Sequence, residues 1–255
     1  MDALLSHAAA PTGRVSSHQE SSHLKTQHLL APEDRHHLVY LGLGLCGAGF
    51  LLPYHSLVLS VDYFHTVFPG SSIVFDISLI YVLTAVVAVL LSTGLTQVLS
   101  LTTRILLGYL LSLLVLLFLL VAVVWLELLE QEQSYGAVLG CVALVALGAT
   151  LQQSSFYGLT GMLPARYTQA VMVGESAAGL LAALARLATK ALVTSPRAAT
   201  ALFFIFSTLV ILTCVFVFLR VQASHLVRFY RAACTKQRMV LRLQVRSGPV
   251  SGLSS

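Results

Sequence analysis

Four ionisable side chains stand inside long apolar runs: Asp76, Glu175, Arg186 and Lys190. Charge in hydrocarbon is costly, so each needs a partner, a watery cavity or a functional task. Glu175 and Arg186 are eleven residues apart, three helical turns, and share a helix face. About 16 Å of helix axis separates them, too far for a direct pair. Arg186 falls instead at about the depth of Asp76. That match predicts an Asp76–Arg186 ion pair between two spans, with snorkelling of Arg186 to the outer surface as the alternative. Lys190 is close enough to a span end to snorkel. Glu175 is left without an obvious partner. Two readings stay open: an ionised carboxylate that faces a cavity and takes a cation, or a carboxyl that is protonated or bonded to a Ser or Gln of another helix.

Two stretches carry further chemistry. The first apolar run contains Gly42, Gly44, Gly47, Gly49, Pro53, Tyr54 and His55. Its small residues permit close helix approach. Pro53 removes an amide donor and frees the carbonyl of Gly49, so a kink is expected there. Tyr54 and His55 just beyond the bend suit a substrate-lined cavity; an ordinary packing helix whose His meets water is the alternative. The second stretch, 152–179, is polar and glycine-rich, with Gly158, Gly161, Gly174 and Gly179. Such a segment suits a neighbouring helix or an aqueous path, not lipid. No Cys or His spacing suggests a metal site, and six irregularly spaced His within residues 1–37 read as part of a polar tail. No cluster has a catalytic arrangement, so neither an enzyme nor a cofactor is expected.

The elements that must position these residues are transmembrane helices. Of 255 residues, 57% are hydrophobic and only 10% charged, against about 25% charged in soluble domains. The mean hydropathy is +0.86. Six apolar runs, near 38–60, 72–93, 104–126, 136–160, 168–193 and 198–220, each match the roughly 20 residues that cross a bilayer core. Helices are the form that satisfies lipid-exposed backbone here. The expectation is an all-α membrane protein, a six-transmembrane-helix bundle over 38–220. Residues 1–37 read as a disordered tail and 221–255 as a basic tail. Twelve of the 15 Lys and Arg residues collect on one side of this topology. That side is expected to be cytosolic and to hold both termini. The net charge of +5 flanks apolar segments, which points to the lipid bilayer and not to nucleic acid. In the basic tail, Arg and Lys interleave with Leu, Val, Phe and Tyr; it reads either as a stop-transfer flank or as a segment lying on the anionic inner leaflet.

The residues from Gly47 to Tyr54, and the stretch from Gln152 through Thr168 followed by Gly174 and Gly179, resemble the equilibrative nucleoside transporter family over about residues 36–230. Val61-Asp62-Tyr63, Ser72 to Asp76, Gln152 to Gly158 and Glu175 are similar to the branch that carries monoamines across the plasma membrane. The resemblance implies the N-terminal half of a major-facilitator-like fold. It also implies facilitated transport of nucleosides or organic cations such as monoamines at the plasma membrane. Tyr54, Tyr81, Asp76 and Glu175 then match substrate-cavity or selectivity positions, with His55 where the family usually has Asn. The family has eleven spans and this chain carries six, so the missing C-terminal half, or a second copy, is expected to complete the cavity. The alternative is a non-transporting membrane protein that pairs with a full-length transporter and modulates it.

Overall fold

The computed structural model describes Asp34, residues 37–125 and residues 131–246. The tail expected over 1–37 lies largely outside the described residues, as does the chain beyond 246. Within them, six helices are long and apolar enough to cross a membrane, and the chain is a multi-pass membrane protein. The first span is α1 (Leu38–Val58), followed after a two-residue turn by the short α2 (Val61–Val67). The others are α3 (Ile73–Val98), α4 (Leu101–Phe118), α5 (Gln131–Thr160), α6 (Ala165–Leu192) and α7 (Pro196–Ala223). A π-helical segment, Leu119–Trp125, prolongs α4, and α8 (His225–Arg246) follows α7.

Local signals set several of these ends. Asp34 accepts bonds from the amides of Val39 (3.2 Å) and Tyr40 (3.1 Å), filling orphan donors at the start of α1. The segment read as tail thus contributes a cap. Ser100 caps α4 by accepting from the Thr103 amide at 3.2 Å. Pro196 opens α7, where a missing amide hydrogen costs nothing. Gly70, at φ 80°, supplies the left-handed turn into α3. α1 stays helical through Pro53 to Val58.

α1 is the hub, packed on α4, α5, α6 and α7. Its Leu43, Cys46, Phe50, Leu52 and Leu57 are wholly buried. Rings from four helices fill the centre: Phe156 of α5 meets Phe50 at 5.8 Å, Tyr109 of α4 at 6.4 Å and Phe218 of α7 at 5.6 Å. The Tyr109 hydroxyl donates to the Cys46 carbonyl at 3.0 Å. By contrast α3 leans mainly on α5 and exposes Val82, Leu83 and Leu90, an apolar surface suited to lipid or to another transmembrane segment. Arg104, which borders the apolar run expected over 104–126, is the fourth residue of α4 and is 1% exposed, with Nη2 donating to Ser154 at 2.8 Å.

The closest approach in the bundle is between α1 and α6. A Cβ built on Gly174 would lie 1.8 Å from the Gly44 carbonyl oxygen, and one on Gly47 would lie 2.4 Å from the Val171 carbonyl oxygen. Both obstacles are backbone, so no rotamer change relieves them. Lipid offers little hydrophobic drive for helix association, and backbone proximity gained through small residues takes its place. Gly174→Ala should therefore force α1 and α6 apart, at a cost of about 1–3 kcal/mol or more. Thermal unfolding in detergent should show a clear drop in midpoint, while Gly140→Ala, where nothing lies within 4 Å of the added atom, should leave it unchanged. Equal midpoints for the two variants would contradict the crossing.

Candidate functional site

The apolar bundle satisfies its intramembrane charges in three separate places. The first is a clasp at the end opposite the basic tails. Arg186 of α6, 4% exposed, donates through Nη2 to both carboxylate oxygens of Asp62 in α2, at 3.0 and 3.1 Å. It also donates to the Leu59 carbonyl (3.1 Å) and to Thr200 of α7 (3.0 Å), and it lies over the Phe203 ring. Lys190 reaches Asp62 at 2.9 Å. The expected Asp76–Arg186 pair does not form. The reason is that the chain continues beyond the two-residue turn as α2, and it is Asp62 of α2, not Asp76, that lies beside Arg186. Lys190 ends on the same carboxylate while remaining about half exposed.

Asp76 makes the second place. It accepts from Ser72 one turn before it, at 3.0 Å, and from the Tyr135 hydroxyl of α5. Tyr135 in turn meets Phe68 edge-on at 5.3 Å. No described contact joins Asp76 to the other candidate site residues.

The third place gathers most of those candidates. Glu175, half-buried on α6, accepts on both carboxylate oxygens, from Gln153 Nε2 on one and from the Tyr157 hydroxyl at 2.5 Å on the other. Gln153 and Tyr157 lie four residues apart on α5, so one helix face presents both donors. Glu175 thus has partners, one of them a Gln of another helix, as the second reading of this residue allowed. An ionised carboxylate has about four acceptor positions, so two bonds leave room for a further donor. Beside it, Tyr54 of α1 and Tyr81 of α3 stack with centroids 3.8 Å apart, and Tyr81 lies within electrostatic reach of Glu175. His55 packs against Gly179, four residues after Glu175, its ring 3.4 Å from the position of an added Cβ.

The glycines serve packing. Gly174 is seated on the α1 backbone, so at this position the stretch serves a neighbouring helix and not an aqueous path. Gly49 lies against Cys214, and Gly158 against Leu101. Gly161 follows α5, its amide bonded to the Tyr157 carbonyl. A cavity of about 540 Å³, lined by Asp34, Leu38, Gly42, Arg220 and neighbours, lies between α1 and α7 and does not include the Glu175 group. That group is drawn from α1, α3, α5 and α6, with nothing from α4 or α7. Asp62, Gln153 and Tyr157 entered the sequence reading only as carriers of the family resemblance, and Tyr135 not at all; none was a candidate site residue. The i,i+4 spacing of Gln153 and Tyr157 inside a polar helix end was the available signal.

The comparisons with known proteins fit this arrangement. A family model described as nucleoside transporter matches residues 139–247. Equilibrative nucleoside transporter 4 of Homo sapiens is 51% identical over 199 residues, 78% of this chain and 38% of its own length. The chain belongs to the equilibrative nucleoside transporter family. Equilibrative nucleoside transporter 4 of Danio rerio is 48% identical over 199 residues, again 78% of this chain and 38% of that protein. Equilibrative nucleotide transporter 1 of Arabidopsis thaliana is 35% identical over 168 residues, 63% of this chain and 36% of its own. The chain therefore spans less than two fifths of the length of these relatives.

The clasp supplies a direct test of the charge pairing in this family member. Removing one partner of a buried ion pair costs about 3–5 kcal/mol. Because Asp62 is 39% exposed, solvent screens part of that, and Asp62→Asn should cost about 1–3 kcal/mol. Asp76→Asn should cost less, since Tyr135 and Ser72 can bond an amide oxygen. Chemical or thermal unfolding of the two variants measures the order; a larger loss for Asp76→Asn would reverse the assignment.

Proposed function

We propose that the chain forms the six-helix part of a facilitative transporter that carries nucleosides or organic cations such as monoamines. The observation that carries this reading is the Glu175 carboxylate. It is held by Gln153 and Tyr157 beside the Tyr54–Tyr81 stack, on a face contributed by α1, α3, α5 and α6. Glu175 is the eleventh residue of the 28-residue α6, about 15 Å along the helix from the basic end. A carboxylate with unused acceptor positions suits a protonated amine, and aromatic faces suit both a cation and a flat base. Transporters of this general build hold substrate near the bilayer midplane, between two halves.

In this reading Tyr54, Tyr81 and Glu175 contact substrate. His55 positions α1 against α6, and Asp76 stands nearer the outer mouth. The basic end faces the cytosol of a plasma-membrane protein, with both termini inside. Five further spans, or a second copy of this chain, close the open side. Substrate moves down its gradient, and no cofactor takes part.

Glu175 then sets the preference for cationic over neutral substrate. Attraction between the carboxylate and an ammonium is strengthened by the low local dielectric. A neutral nucleoside gains nothing from the charge. Glu175→Gln should lower serotonin uptake about tenfold or more while sparing or raising adenosine uptake, because Gln restores a donor. Radiolabel uptake should be measured with the remaining spans of a relative co-expressed. Equal loss of both substrates would assign Glu175 to folding, and unchanged serotonin uptake would remove it from the mechanism. Uptake that never appears with this chain, while a full-length relative is altered by it, would favour a modulating role.

A further inference from the structure

The chain does not end its organised structure at the last membrane span. One residue after α7, with Ser224 extended at ψ 144°, α8 begins and runs for 22 residues. Its sequence from His225 to Arg246 contains six Lys and Arg residues and no Asp or Glu. Arg228, Arg231, Arg238 and Arg242 are spaced by three, seven and four residues, which at 100° per residue places them within an arc of about 80°. Phe229, Ala233 and Val240 lie on the opposite side of the helix, with Leu241 and Leu243 on its two flanks and Lys236 between Phe229 and Leu243. The first two turns dock on the bundle: Leu226 and Val227 are buried, and Arg231 bonds Gln222 at 2.7 Å. Beyond residue 234 the described side chains stand open, Val240 being 47% exposed and Leu241 54%.

We infer that α8 is an interfacial helix that binds the anionic phospholipid surface beside the bundle, its apolar side set into the headgroup region and the arginines beyond its docked turns, Arg238 and Arg242, on lipid phosphates and carboxylates. Three observations select a membrane over other acidic partners. The helix starts within one residue of a membrane span, so the surface is within reach. Its exposed apolar residues require a medium that accepts them, which a nucleic acid does not provide. The pattern of an arginine-rich face opposite an apolar one, at low overall hydrophobicity, is that of helices lying in the interface plane. Polybasic segments next to a span gain most from phosphatidylserine-type lipids.

The test is hydrogen–deuterium exchange by mass spectrometry on the whole chain in nanodiscs. One lipid is phosphatidylcholine alone and the other contains about a third phosphatidylserine. Amides of residues 235–243 should exchange about tenfold more slowly with phosphatidylserine, and the difference should collapse in high salt. The variant Arg238→Gln/Arg242→Gln should lose the protection while peptides of α1 and α5 exchange as before, which reports that the bundle is folded. Equal exchange in both lipids, or equal protection that salt and the two substitutions leave intact, would overturn the inference. So would protection by an acidic polymer such as poly-glutamate in the absence of any lipid effect.

Discussion

The contact between the backbones of α1 and α6 governs the arrangement of everything that could meet a ligand. Gly44 and Gly47 on one side, with Ala170, Val171 and Gly174 on the other, let two carbonyl-bearing surfaces approach to a distance no larger residue allows. In lipid, where apolar side chains gain little by leaving their solvent, such proximity supplies dispersion and dipole contacts that hold a bundle together. The consequence is geometric. With α6 fixed against the hub helix, Glu175 lies one residue beyond the crossing and faces α5, while Gly179 meets His55 one turn further on. Moving the crossing by a methyl group would shift all three.

Charge is the second constraint, and the bundle meets it locally. Each carboxylate within the spans is bonded inside the protein: Asp62 to a buried guanidinium, Asp76 to Tyr135 and Ser72, Glu175 to Gln153 and Tyr157. The three solutions differ in what they leave available. The Asp62 clasp uses its carboxylate on two cations and knits the α1–α2 turn to α6 and α7, a structural task. Asp76 is tied to a phenol near the loops. Asp76 and Glu175 both have neutral partners only, and Glu175 alone of the three has the Tyr54–Tyr81 stack alongside.

Span number was legible because twenty apolar residues in a row have few uses other than crossing lipid. The glycine-rich helix faces were legible for the same reason, since small residues at helix spacing mean close neighbours. Pairing was less so. Helix counting gives depth along an axis but no azimuth, and it assumed that the first span ended where its apolar run did. The turn at Leu59–Ser60 breaks that assumption and carries Asp62 to Arg186 in place of Asp76. The stretch around Gly174 suited either a neighbouring helix or an aqueous path, and Gly174 makes room for a carbonyl; composition cannot tell these apart. Arg104 looked like a loop charge because it borders an apolar run, but the helix begins three residues earlier and buries it. Gln153 and Tyr157 were visible as a polar helix end, yet their convergence on Glu175 depends on the crossing of α5 and α6.

The proposed function requires that the Glu175 group, with Tyr54 and Tyr81, face a water-filled substrate path and not lipid. Tyr81 and Leu83 are two residues apart on α3 and point to opposite sides of it, so cysteine placed at each gives a matched pair. The decisive measurement is the rate at which a small hydrophilic thiosulfonate modifies Tyr81→Cys and Leu83→Cys in membranes, with the companion spans present. The account predicts rapid modification at position 81, slowed by serotonin or adenosine, and little at 83. Equal rates at the two positions, or a rate at 81 that neither substrate alters, would contradict it.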